Sequence, residues 1–203
     1  MVVNYPTAVT RSSILVTQWK TESKVQTFKP MQKAIICLIL TIFTSVRADN
    51  TYQPTVQVWF SPNGGCTEAV VTAIENAKKT ILVQAYSFTS APIAKALVNA
   101  HKRGVEIGII LDKSQTSEKY SSADFVAHAE IPVWIDRKHS IAHNKIMVID
   151  SETVITGSFN FTLNAESHNA ENLVIMHGDS NLAKRYTLNW KEHLAHSEEY
   201  AGK

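Results

Sequence analysis

The stretch TILVQAYSFTSAPIAKALVNAHKRGVEIGIILD, Thr80 to Asp112, decides the fold. Its two ends, TILVQAYSF and VEIGIILD, are strands apolar on both faces, and such strands belong inside a sheet that is covered on both sides. Between them APIAKALVNAHKRG reads as a helix, closed by Gly104 after Lys102 and Arg103 in its last turn. Immediately upstream the pattern repeats. TVQVWF reads as a strand, and CTEAVVTAIENAKK as a helix with Ala69, Ala73, Ile74 and Ala77 at helical spacing. This β-α-β-α-β order predicts an α/β fold: a mixed, largely parallel β-sheet flanked by helices on both faces. Farther on, KSQTSEKYSS is a polar loop, ADFVAHAE a short helix and IPVWID another strand. HNKIMVID and TVITGSF follow as strands around the turn signal SE, ENLVIMHG adds one more, and SNLAKRYTLNWKEHLAHSEEY closes with an amphipathic helix.

With 44% hydrophobic residues, the 203-residue chain has material for one sizeable core. Its N-terminal part has a different character. From Met31, MQKAIICLILTIFTSVRADN carries a lysine, a ten-residue apolar run from Ala34 to Phe43, and small residues at Val46 and Ala48. That is the grammar of an export signal. The run falls short of the about 20 residues that span a bilayer, so a cleaved signal is expected and no stable membrane anchor. Three regions follow: residues 1–30, an upstream extension or leader that is not part of the native product; residues 31–48, the signal peptide; and residues 49–203, the catalytic domain. The expected location is periplasmic or secreted, after cleavage near Ala48.

Removing residues 1–48 leaves 14 basic against 17 acidic residues and all eight histidines. A nucleic-acid partner would then be held by a local basic site and not by overall charge. Cys37 leaves with the signal, and Cys66 alone cannot form an intrachain disulfide, so it reads as a small structural residue near a helix start.

The chemistry concentrates in HNKIMVID, His143 to Asp150. Side chains alternate along a strand, so His143 and Lys145 share a face while Asp150 has the opposite parity. Histidine and lysine can act together, whereas Asp150 is expected to support the structure. The next turn, TGSFNFT, adds Gly157, Ser158 and Asn160, and Glu171 heads the following strand. Histidine supplies a nucleophile or proton carrier; lysine and asparagine donate to phosphate oxygens; glycine permits close backbone approach; a carboxylate fixes a histidine tautomer. Together they describe a phosphodiester site.

This arrangement, His143-x-Lys145-x4-Asp150, then Gly157-Ser158-x-Asn160, then Glu171, resembles the phospholipase D superfamily, and in particular its small bacterial endonucleases. The likeness extends upstream through VWFSPNGGCTEAVV and the Thr80–Asp112 stretch, covering nearly all of residues 49–203. It implies the superfamily's αβα sandwich and a two-step displacement: one histidine attacks phosphorus to give a phosphohistidine, and another protonates the leaving alcohol. Larger members carry the motif twice, but this chain carries it once. A homodimer with both His143 side chains at its two-fold axis would supply the second histidine. The resemblance then makes His143 nucleophile in one subunit and acid in the other. Lys145 and Asn160 would stabilise the non-bridging oxygens, Ser158 would add a hydrogen bond, and Glu171 would orient a histidine. Asp150 and Gly157 would be structural.

No metal and no cofactor are expected, because lysine takes the electrophile's place and the sequence displays no HExxH, clustered carboxylates or Cys/His ligand spacing. His139 with Arg137 and Lys138 reads as a solvated turn that could touch substrate, and His168, near Glu171, is open to the same two readings. Trp59, Trp134 and Trp190 read as core or interface; Lys184, Arg185 and Lys191 as a solvated helix face. The expected function is sequence-nonspecific cleavage of DNA, with RNA a further substrate, since a short chain leaves an open dimer cleft. The alternatives are a lipid phosphodiesterase acting on phosphatidylcholine or cardiolipin, and a non-catalytic nucleic-acid-binding dimer.

Overall fold

The computed structural model describes residues 53–203; the upstream extension and the export signal expected at residues 1–48 lie outside the described residues. In chain order the elements are β1 (Thr55–Ser61), α1 (Cys66–Asn76), β2 (Thr80–Ala85), α2 (Ala91–Lys102) and β3 (Glu106–Asp112). A 3-10 turn (Lys113–Thr116) leads to α3 (Ala123–Ala127), β4 (Val133–Asp136), β5 (Lys145–Ile149) and β6 (Thr153–Gly157). The chain ends with α4 (Leu163–Ser167), β7 (Glu171–His177), α5 (Ser180–Leu194) and the two-residue β8 (Glu198–Glu199). All eight strands form one sheet in the order β1-β7-β6-β5-β2-β3-β4-β8.

The sheet is mixed and helix-flanked, but the expectation that it is largely parallel is corrected. Only β2–β3 and β3–β4 pair parallel, while β1–β7, β7–β6, β6–β5, β5–β2 and β4–β8 are antiparallel. The physical reason lies in β1. Although α1 follows it, β1 does not enter the sheet beside β2; it pairs with β7 at the far edge, Thr55 opposite His177 and Ser61 opposite Glu171. Its alternating sequence suits an edge, with Val56, Val58 and Phe60 exposed.

Each face of the sheet has its own cover. On one, α1 buries Cys66, Val70 and Ile74 and α2 buries Ile93, Leu97 and Ala100 against Val83, Ile109, Met147 and Ile155. On the other, Ala183, Leu182 and Tyr186 of α5 pack on Ile146, Val148 and Val154. Successive β5 residues therefore serve opposite cores, which is why this strand is apolar throughout. Trp190 closes the second face: its indole N–H donates to the Val83 carbonyl at 2.9 Å, and its ring meets Trp134 edge-on at 6.0 Å. Among the described residues, no helix is long and apolar enough to cross a membrane.

Candidate active site

The four neighbouring strands β7, β6, β5 and β2 bring their motif-bearing ends to the same end of the sheet, because β5 and β7 begin where β2 and β6 finish. Lys145, the first residue of β5, lies opposite Ala85, the last of β2. The β5–β6 register, in which Met147 faces Ile155, extends to place Lys145 level with Gly157. Glu171 opens β7 beside them.

His143 is not in the strand, contrary to the reading of HNKIMVID as continuous: it precedes β5 by two residues and is exposed, whereas all five β5 residues are buried. Its segment is pinned from behind by Asp112, whose 2% exposed carboxylate accepts from the N–H groups of Ala142 at 2.8 Å and Ser114 at 2.9 Å. Lys145 is only 7% exposed. Its ammonium donates to the His143 carbonyl at 2.9 Å and lies 5.1 Å from the centroid of the Tyr86 ring. The same ring packs against the His143 imidazole at 4.6 Å. Tyr86 is thus a shared platform that positions both groups, and its own N–H donates to the Asn144 carbonyl at 2.8 Å. Burial lowers the lysine's pKa, and the Glu171 carboxylate partly restores it. The carboxylate also accepts from the Asn169 amide at 3.1 Å.

The turn after β6 is built from two anchors. Phe159 and Phe161 are fully buried, so the side chains between and before them, Asn160 and Ser158, are turned away from the core. Ser158 and Phe159 donate backbone N–H groups to the Asn172 carbonyl, and the Ser158 hydroxyl accepts the Asn172 N–H at 3.0 Å. On the other side, the Phe161 carbonyl accepts from Thr89 and Ser90, which tie the turn to the start of α2. Asn160 retains a buried amide oxygen with no partner among the described residues. Rotation about its last side-chain torsion exchanges this oxygen for N–H donors, which suits an incoming phosphate oxygen. Gly157 adopts φ +144°, and a Cβ there would sit 2.2 Å from the Asn172 carbonyl oxygen.

Asp150 lies at the opposite end of β5, remote from this chemistry. Its carboxylate accepts from the N–H groups of Lys78, Lys79 and Thr80 at 2.7–2.9 Å, locking the α1–β2 connection. Burial opposes its charge, but the three N–H groups prevail and hold its pKa below the usual carboxylate range. A depressed folded-state pKa gives stability that is present above the unfolded value of about 3.9 and is lost as pH falls through the folded one. Asp150→Asn should therefore cost about 2 kcal/mol at pH 7 in urea denaturation, and that cost should shrink as pH falls from the unfolded carboxyl's pKa through the lower folded one. A cost independent of pH would mean that the charge is irrelevant.

Other polar candidates go elsewhere. Arg137 pairs with Glu198 at 2.9 Å on the surface, His168 is exposed at the end of α4, and His139 turns its ring onto Asp136. Cys66 is fully buried, and burial together with the nearby Glu166 charge pushes its thiol up to about 11, which suits a packing role. Tyr86 and Asp112 were missed from the sequence. The signal for Tyr86 was an aromatic leaving a buried strand, and for Asp112 a carboxylate closing an apolar one.

A nucleophile-capable imidazole, a buried ammonium, an amide with a free end and a supporting carboxylate, gathered at one end of an α/β sheet, define a phosphodiester hydrolase. A family model described as "Cardiolipin synthase, PLD-like domain" matches residues 70–194, a span that contains every motif residue. A second, "Scaffolding anchor of CK1 domain", matches residues 8–129 and stops short of His143. Curated relatives include a phospholipase D of Rickettsia prowazekii, 44% identical over 135 residues, which are 66% of this chain and 65% of that protein. A mitochondrial cardiolipin hydrolase of Xenopus laevis is 31% identical over 54% of this chain and 52% of its own. Among solved structures, the phospholipase D family member Nuc of Salmonella typhimurium is 39% identical with a TM-score of 0.71, covering 73% of this chain and 99% of Nuc. NucT of Helicobacter pylori, 21% identical with a TM-score of 0.68, shares the fold. The chain belongs to the phospholipase D superfamily and is a phosphodiesterase.

Proposed function

We propose that the chain is an exported, sequence-nonspecific endonuclease that cleaves DNA, and RNA as a further substrate, as a homodimer. The observation that carries this reading is a single motif whose nucleophilic histidine is exposed at the open end of the sheet. One chain offers one such histidine, and the displacement needs two. In the dimer His143 of one subunit attacks phosphorus and expels the alcohol, which takes its proton from His143 of the other subunit. That second histidine then removes a proton from water, which cleaves the phosphohistidine and frees the first. Lys145 and Asn160 donate to the non-bridging oxygens as charge builds there, Ser158 braces the turn that carries Asn160, and Glu171 holds the charge balance around Lys145 and a histidine. Support for a polymeric substrate comes from the exposed setting of His143 and from the correspondence with nearly the whole length of Nuc.

A lipid phosphodiester is the second reading, favoured by one observation: Phe60, Ile141 and Leu163, all more than half exposed, flank the motif turn and the His143 segment. In the nuclease such side chains would lie beneath a second copy; in a lipase they would rest on a bilayer. Residues 49–203 should nick supercoiled plasmid in the presence of EDTA and leave phosphatidylcholine and cardiolipin vesicles intact. Intact plasmid with hydrolysed lipid would replace the first reading by the second. Far-UV circular dichroism in the same buffer separates a catalytic effect of EDTA from unfolding. N-terminal sequencing of the exported product should begin at Asp49; a start far from it would remove the proposed cleavage point.

A further inference from the structure

Away from the motif, at the β4 edge of the sheet, three imidazoles converge on one carboxylate oxygen. Asp136, the last residue of β4, is fully buried. Its Oδ1 accepts the backbone N–H groups of Lys138 and His139 at 3.0 and 3.4 Å, which fixes the orientation of the carboxylate. Its Oδ2 is approached by His139 Nδ1 at 2.9 Å, His193 Nδ1 at 2.8 Å and His196 Nε2 at 3.3 Å. An sp2 oxygen has two lone pairs, so three imidazole donors are one too many. The four facing atoms all lie within 4.8 Å of one another. A tetrahedral zinc site with bonds of about 2.0–2.1 Å has neighbouring ligand atoms about 3.3–3.4 Å apart; here the nitrogens stand 2.8–3.3 Å from Asp136 Oδ2 and no two of the four atoms are more than 4.8 Å apart, so modest side-chain adjustments would complete a tetrahedron.

We propose that Asp136, His139, His193 and His196 bind one divalent transition-metal ion of the zinc class. Nitrogen-rich, oxygen-completed sets of this kind suit zinc over magnesium or calcium, which take oxygen ligands. All four tetrahedral positions are filled by protein, the arrangement of a structural site and not of one that activates water. The ion links the end of β4 to the C-terminal turn of α5, His193 within it and His196 two residues past its end. It thereby fastens the helix that packs across β2 to β6 on one face of the sheet. Supporting contacts around the ligands are already in place: the Lys113 ammonium donates to the His139 carbonyl at 3.1 Å, and the Ser197 hydroxyl to that of His193 at 2.8 Å. The ligand spacing is Asp136-x2-His139 and His193-x2-His196, two halves 57 residues apart.

The test uses residues 49–203 without a polyhistidine tag. Elemental analysis after gel filtration should find about one zinc per chain, and zinc returned at a hundredfold excess over its dissociation constant to chelator-stripped protein should raise Tm by about 5–10 °C. His139→Ala, at a side chain that is 43% exposed and so safe for folding, should lose both effects, as should the double variant His193→Ala, His196→Ala. His143→Asn should keep both, which separates this site from the catalytic one. Wild-type protein that takes up no more zinc than His139→Ala, or variants that retain stoichiometric metal, would overturn the assignment.

Discussion

Replacing His143 with asparagine should abolish turnover, lowering kcat by about 10^4-fold or more while substrate affinity stays within a few-fold. Asparagine fills the same exposed position and disturbs no core contact, so the loss would report chemistry and not folding. A sharper form of the experiment addresses the partner histidine. Wild-type and His143→Asn chains co-expressed in equal amounts assort as two homodimers and a heterodimer in about a 1:2:1 ratio. If turnover needs both histidines, the heterodimer is inactive and specific activity per chain falls to about one quarter. If each chain works alone, the mixture keeps about half, and the dimeric mechanism is wrong. Isolating the heterodimer through two different tags gives the same answer directly.

Gly157→Ala should cost about 3 kcal/mol or more in urea denaturation, with activity lost along with it. Two causes act together. The residue holds φ +144°, a conformation that costs an L side chain about 1–3 kcal/mol, and the added carbon would stand 2.2 Å from the Asn172 carbonyl oxygen. That oxygen cannot retreat without releasing the N–H groups of Ser158 and Phe159, which position Asn160. Gly65→Ala is the internal control. It also has positive φ, at +83°, but a Cβ there meets nothing within 4 Å among the described residues, so about 1–2 kcal/mol is expected. Equal costs at the two positions would show that backbone conformation alone matters and that the close approach to β7 does not.

Much of this architecture is legible in local pattern. Val148 beside Met147, and Ile110 beside Ile109, announce strands covered twice, and Gly104 after Lys102 and Arg103 marks the end of α2. Pairing partners are a different matter. TVQVWF reads as a strand, but nothing within it says that Ser61 will face Glu171, so grouping it with β2 and β3 made the sheet too parallel. The same limit governs the sites. His143, Lys145, Gly157, Ser158, Asn160 and Glu171 stand within 29 residues and could be seen as one constellation, whereas Tyr86 joins them only through the β2–β5 pairing. Asp136 and His193 meet only because α5 crosses back over the sheet, and each alone resembles an ordinary turn or helix end.

The position of β1 has one further consequence. The described chain enters the sheet at one rim and leaves it at the other, with β1 first and β8 last in an eight-strand order. Seven steps of about 4.8 Å separate those rims by roughly 34 Å. A peptide joining the β8 rim directly to the β1 rim would have to traverse the full width of the sheet, whereas circular permutation with a short tether succeeds where the joined points adjoin.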